Sequence, residues 1–171
     1  MNKELISIKR KKIDGNKIQG FLIDETKRLI LLNYVYDFNL DGLMVLKKEN
    51  ISLLETSETD QFQTELLKSE GIYEKVCSGS KYNLSTWKNL IESMMINHKY
   101  FIIEQEEQKD PKFTIGTIDH VGENSIFMKY FTGIGRWLDD LEEIKYSDIT
   151  SLQVGSNYLN VYERYFSKRS A

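Results

Sequence analysis

The chain has 171 residues, and its 26 acidic and 23 basic side chains leave a formal net charge of −3. With 40% apolar and 29% charged residues, it has the composition of a globular protein, which excludes a disordered or a fibrous chain. The acidic excess also excludes a strong overall attraction to nucleic acid or to an anionic membrane.

The compartment is predicted from cysteine use and from apolar runs. Cys77 is the one cysteine of the chain, so an internal disulfide is excluded and a reducing compartment is favoured. No apolar run is as long as a membrane span, and residues 1–12 lack the apolar core of a signal peptide. We therefore expect a cytoplasmic protein without a membrane partner.

Short strands dominate the first half of the sequence. Asp14-Gly15 and Asp41-Gly42 are turn signals, because Asp-Gly pairs readily take the positive φ angles of tight turns. Between the turns, apolar runs predict strands near residues 5–8, 18–23, 29–35, 43–46 and 51–54. After Thr59 or Asp60, either of which can cap a helix, the apolar spacing becomes helical and stays so until Gly71.

The second half follows a similar plan. An amphipathic helix is predicted after Ser85 or Thr86, with apolar residues at helical spacing from residue 87 to residue 95. Further strands are predicted near residues 100–103, 113–118 and 125–131. Ser156-Asn157 then caps a last helix, whose aromatic stripe runs from Tyr158 to Phe166.

A repeat relates the two halves. When residues 116–158 are set beside residues 20–62, apolar residues fall on apolar residues at nearly every anchor, and Gly116 falls on Gly20. We therefore predict a mainly β (α+β) protein of two tandem small bent antiparallel sheets or barrels, each with a C-terminal helix, and a further helix between them. The predicted bounds are 1–76 for the first repeat, 77–84 for the linker, and 85–171 for the helix and the second repeat.

The short strands, the tight Asp-Gly turns and the adjoining helices resemble the Sm-like family of small bent barrels. The turns and anchors also resemble patterns in uncharacterised bacterial proteins. These anchors are Gly20, Asp41-Gly42, Ile51 and Phe62 in the first half, and Trp137 and Asp148-Ile149 in the second. The resemblance implies a barrel that binds RNA or assembles into a ring. The family's RNA-contacting signature is not matched residue by residue, so the resemblance implies no site residue.

Acidic clusters, histidines and the cysteine are the candidates for catalysis or metal binding. Asp37–Gly42 matches the first half of a calcium-binding loop, but a lysine occupies the position of the bidentate Glu, and the flanks are strand-like. The run Asp139–Glu143 could hold a cation, although a solvated acidic loop is the more common structure. His98 and His120 lie apart in sequence, and only folding could bring either to Cys77. We predict no catalytic residue, no metal site and no cofactor.

A basic run lies at the end of the first predicted strand. Its members Lys9, Arg10, Lys11 and Lys12 could contact the phosphates of RNA or DNA. The acidic total favours the alternative, in which the run is a solvated strand end that protects a sheet edge.

Arg136 and Trp137 are the candidate partner-binding residues, together with Asp139 and Asp140. Trp and Arg are enriched among interface hot spots, and this pair lies in a loop in which the second repeat is longer than the first. The carboxylates would attract a basic partner. In the alternative structure, Trp137 packs back onto its own barrel.

These features favour a non-catalytic protein-interaction or regulatory module, not an enzyme. Its partner is expected to be another protein. RNA or DNA binding is the first alternative function. A toxin-blocking immunity function is the second, and only the small acidic composition supports it.

Overall fold

A computed structural model describes residues 3–169, and this range contains ten strands and three α-helices. The strands of the first half are β1 (Leu5–Arg10), β2 (Ile18–Glu25), β3 (Leu29–Tyr36), β4 (Asn39–Lys47) and β5 (Ile51–Glu55), followed by α1 (Glu58–Ser69). In the second half, α2 (Trp87–Met95) precedes β6 (Tyr100–Gln105), β7 (Lys112–Val121), β8 (Ser125–Phe131), β9 (Trp137–Lys145) and β10 (Ser151–Val154), and α3 (Asn157–Ser167) follows. The mainly β composition with helices is as predicted. Within the described range, no helix is long and apolar enough to cross a membrane.

All ten strands pair in one antiparallel sheet, in the order β5-β1-β2-β3-β4-β10-β6-β7-β8-β9. The halves meet where β4 pairs with β10, with Leu46 opposite Ser151 and Leu43 opposite Val154. The sheet does not close, and β5 and β9 lie at its two ends. Two tandem barrels are therefore not shown, because the outer edge of β4 continues into the second half.

The two halves have the same strand order. In each half the last strand lies beside the first, and the remaining strands follow in chain order. The irregularities of the pairing recur as well. The register shifts between Leu22 and Asp24 in the first half, and between Ile118 and His120 in the second. The division of the chain into a first repeat that ends at residue 76, a linker of residues 77–84 and a second part that begins at residue 85 stays a prediction. Its outer ends, residues 1 and 171, lie outside the described residues.

Close approach of the backbone explains the glycine that recurs in the two halves. A Cβ on Gly20 would lie 2.9 Å from the carbonyl oxygen of Asn33 on the neighbouring strand. A Cβ on Gly116 would overlap the backbone of Lys129 in the same way. Both strand pairs therefore require a residue without a side chain at this position.

One hydrophobic core draws on both halves. α2 buries Trp87, Leu90, Ile91 and Met94. Its partners from the first half include Leu31 and Val45, and its partners from the second half include Phe101, Ile103 and Leu152. The helix between the halves is thus packed against strands of both.

The helix caps differ from the prediction only in α1. Ser57, not Thr59 or Asp60, is the N-cap, and Asp60 is the third residue of a capping box with it. The carboxylate of Asp60 also accepts hydrogen bonds from Ser7 at 2.7 Å and Gln19 at 2.9 Å, which ties α1 to β1 and β2. Burial alone would raise the pKa of Asp60, but the hydrogen bonds outweigh it and lower the pKa.

Candidate functional site

The predicted partner-binding residues lie on β9 or directly before it. Arg136, Asp139 and Asp140 are exposed, and β8 is the one described strand that pairs with β9. The sequence predicts a loop here. Arg136 does lie in the loop between β8 and β9. For Trp137, Asp139 and Asp140 the prediction is wrong, because the chain pairs with β8 from residue 137 to residue 145. The acidic side chains therefore lie along a free strand edge.

Trp137 is partly buried in an aromatic cluster between β9 and α3. Its ring centroid lies 5.0 Å from that of Phe131 and 5.0 Å from that of Phe166. The Nζ of Lys129 lies 5.9 Å from the centroid of the Trp137 ring. Part of the indole therefore packs within the protein, and only the remaining surface can contact a partner.

Neither acidic cluster resembles a metal site in the structure. In residues 3–169, no three His, Cys, Asp or Glu side chains are grouped so that they could hold a metal ion. The hairpin turn that begins the calcium-like sequence consists of Asp37 and Phe38, with φ angles of 46° and 58°. Asp41 and Gly42 lie within β4 and not in a turn, which corrects the prediction.

The basic run at the end of β1 is divided by burial. Its exposed members are Lys9, Lys11 and Lys12. Arg10 is buried, and its guanidinium forms ion pairs of 2.7 Å with both Asp14 and Glu106. Burial would lower the pKa of Arg10, but the hydrogen bonds to the two carboxylates raise it. Arg10 therefore forms part of an ion-pair network that links the two halves. Only the three exposed lysines of the run are accessible to a phosphate group.

A cavity of about 900 Å³ lies between loops of both halves and the start of α2. We call it the basic cavity. Its cationic lining residues are Lys27, Arg28, Lys47, Lys48 and Lys88. The three last-named lysines have carboxylate partners: Lys47 pairs with Glu107 at 3.7 Å, Lys48 with Glu25 at 2.6 Å, and Lys88 with Glu123 at 2.6 Å. In the part of the chain that the structure describes, Lys27 and Arg28 have no ion-pair partner.

A second cavity, of about 740 Å³, lies over the joint between β4 and β10. We call it the junction cavity. Leu31, Leu43 and Val154, from three neighbouring strands, give it an apolar floor. Residues 77–82, which connect α1 to α2, form the opposite wall. Most of the predicted linker thus lines a cavity at the meeting point of the halves.

Hydrogen bonds hold this connecting segment in place. The buried side chain of Asn33 accepts a hydrogen bond from the backbone N–H of Cys77 at 3.0 Å and donates one to the carbonyl oxygen of Gly42 at 3.0 Å. The Nζ of Lys3 donates to the carbonyl oxygen of Val76 at 2.8 Å. The connecting segment is therefore tied to Asn33 of β3 and to Lys3.

The polar groups of the junction cavity gather on the side of this wall. The hydroxyl of Tyr82 and the Nε2 of His98 are 2.9 Å apart. Burial lowers the pKa of His98, as does the charge of Lys81, so the imidazole is neutral at neutral pH. Burial also raises the pKa of Tyr82, and the neighbouring Cys77 adds to this effect. Folding brings both Cys77 and His98 to the lining of this cavity. The Nε2 of His98, however, is hydrogen-bonded to the hydroxyl of Tyr82.

Sequence reasoning did not identify either cavity, because each collects residues from segments that are distant in the chain. Asn33 has a weak local signal, since it is a polar residue within the apolar strand Leu29–Tyr36. The residues of the cavity floor have none, because apolar strand residues are equally expected in a filled core.

Comparisons with protein-family models, with curated proteins and with solved structures found no match to this chain. The resemblance to the Sm-like family thus stays a prediction from the sequence.

Proposed function

We propose that the protein is a non-catalytic protein-interaction or regulatory module that binds a basic partner along β9. The free outer edge of β9, with exposed Asp139 and Asp140, is the observation that carries the proposal. An extended segment of a partner can add to an open sheet edge through main-chain hydrogen bonds. The carboxylates would attract a basic segment and speed its encounter with the strand.

β9 is a better docking edge than β5, the strand at the other end of the sheet. β9 has nine residues and β5 has five, so β9 offers a longer row of main-chain groups. Leu141 of β9 is 41% exposed and adds an apolar contact. The like charges of Asp139 and Asp140 also disfavour pairing of β9 with the β9 of a second copy, because equal charges would face each other.

The two halves are, in this proposal, tandem Sm-like repeats whose strands share one sheet. The common strand order and the recurring register shifts support this relationship. A toxin-blocking function belongs to the same proposal, since it too requires that the module bind another protein.

Charge reversal on β9 tests the proposal. We expect the variant that combines Asp139→Lys and Asp140→Lys to bind a partner captured from the native cell at least about tenfold more weakly, since it repels a basic segment. The matched control combines Glu70→Lys and Glu74→Lys, which makes the same charge change at exposed positions away from β9. Affinity is measured by calorimetry with the purified partner, and hydrogen exchange of β9 is measured with and without it.

Two results would count against the proposal. One is equal binding by the β9 variant and the control. The other is a partner that leaves hydrogen exchange of the β9 amides unchanged, since strand addition must protect them. Truncation of Trp137 is not a suitable variant, because its packing against Phe131 and Phe166 would mix lost stability with lost binding.

RNA or DNA binding is the second candidate function, and the basic cavity favours it. Lys27 and Arg28 are exposed at its wall and have no ion-pair partner in the described range. Binding of mixed-sequence single-stranded RNA that weakens with salt, and that is lost when both residues are changed to Glu, would support this candidate. Absence of salt-dependent binding at low ionic strength would reject it.

A further inference from the structure

We propose that the junction cavity is a binding site for a small molecule that has an apolar body and one anionic group. The volume of about 740 Å³ lies within the range of roughly 300–1,000 Å³ that is typical of small-molecule sites. Leu31, Leu43 and Val154 offer such a molecule an apolar floor. This site is separate from the β9 edge.

The charge of the lining selects an anion. Lys75 and Lys81 line the cavity, and in the described range no carboxylate does so. Neither lysine has an ion-pair partner among residues 3–169, and Lys81 lies 5.7 Å from the ring centroid of Tyr82. A bound carboxylate or sulfonate would supply the missing counter-charge.

The neutral polar groups complete the site. Because His98 is neutral at neutral pH, the Tyr82–His98 pair offers hydrogen bonds without adding charge. The ligand would touch β4 of the first half, β10 of the second half and the segment that connects the halves. The site therefore exists only when both halves are folded together.

Two probes of opposite charge test the chemical class. The fluorescent probe is anilinonaphthalenesulfonate, an anion with a large apolar part. Decanoate and decyltrimethylammonium are added separately as possible competitors. Decanoate is expected to displace the probe, whereas the cation of equal chain length is expected to leave it bound.

Cys77 gives an independent readout, since it is exposed at the cavity wall and is the one cysteine of the chain. Decanoate is expected to slow its alkylation by iodoacetamide.

Two matched variants locate the site. The combination of Lys75→Gln and Lys81→Gln is expected to weaken decanoate binding about fivefold, as the loss of two exposed charge contacts predicts. The control, Lys109→Gln with Lys168→Gln, removes the same charge outside the cavity and is expected to bind as the unchanged protein does. All four lysines are exposed, so both variants are expected to fold, which circular dichroism checks.

The proposal is overturned if decanoate and decyltrimethylammonium compete equally. Equal decanoate affinity of the two lysine variants, or an alkylation rate of Cys77 that decanoate leaves unchanged, overturns it as well.

Discussion

Glu104 of β6 is a largely buried carboxyl group at the joint between the halves. Burial raises its pKa, the hydrogen bond that Ser151 donates lowers it, and the like charges of Glu106 and Asp14 raise it further. The positive charge of Arg10 works in the opposite direction. The sum is a raised pKa, so the folded protein favours the protonated acid. Ionisation of Glu104 at neutral pH therefore opposes folding.

Glu104→Gln tests this effect through pH. A carboxyl whose pKa is raised in the folded state contributes stability below the unfolded value, which is about 4.3 for Glu, and loses it as the pH rises through the folded value. We therefore expect the free energy of unfolding of Glu104→Gln to increase relative to that of the unchanged protein between acidic and neutral pH. Urea denaturation at a series of pH values measures the difference.

Gln61→Ala is the control for this series. Gln61 is exposed and its side chain does not titrate, so its variant is expected to show a difference that does not change with pH. A flat difference for Glu104→Gln would contradict the prediction.

At the scale of single elements, the approach of β7 to β8 depends on Gly116. The register in this pair places Gly116 opposite Tyr130, as Gly20 lies opposite Tyr34 in the first half. The Cα of Tyr130 would lie 2.7 Å from a Cβ at position 116. No side-chain rearrangement can relieve this overlap, because the obstacle is the backbone of the neighbouring strand.

Gly116→Ala is therefore expected to lower the free energy of unfolding by about 1–3 kcal/mol, which is typical of overpacking. Gly15→Ala is the control, since a Cβ at position 15 would meet no atom within 4 Å. Its effect is expected to stay within about 0.5 kcal/mol. Equal denaturation midpoints for the two variants would show that β7 and β8 can separate without cost.

For the whole molecule, contacts between the halves predict that they form one cooperative unit. The pairing of β4 with β10, the core around α2 and the ion pair of Arg10 with Glu106 all cross from one half to the other. Breaking one half would expose the edge of β10 and part of the shared core. Unfolding of the two halves is thus expected to occur together.

A mild core substitution far from Trp137 tests this cooperativity. Ile8 of β1 is fully buried in the first half, and Ile8→Val is expected to cost about 0.5–1.5 kcal/mol. In a Trp87→Phe background, Trp137 fluorescence reports the second half alone. We expect Ile8→Val to shift the fluorescence transition and the circular dichroism transition to the same lower urea concentration. An unshifted fluorescence transition would instead mean that the halves unfold independently.

The local elements could be predicted from the sequence, because their signals depend on neighbouring residues. Short apolar runs between turn signals located most strands, and the helical stripes located α2 and α3. The hydroxyl of Thr86 and that of Ser156 cap these helices as predicted. The repeat also came from sequence, since a Gly that is needed for close backbone approach recurs in each half.

How the halves join and where the cavities lie could not be predicted, because both depend on contacts between distant segments. Whether the edge of β4 stays open or pairs with β10 depends on contacts between residues about 100 positions apart, which no local pattern records. For the same reason, the sequence predicted a loop for Asp139 and Asp140, which lie on the edge strand β9. The junction cavity forms only when four strands, the connecting segment and His98 are brought together. Burial and charge at such a site arise from packing between distant segments, so they exist only in the folded chain.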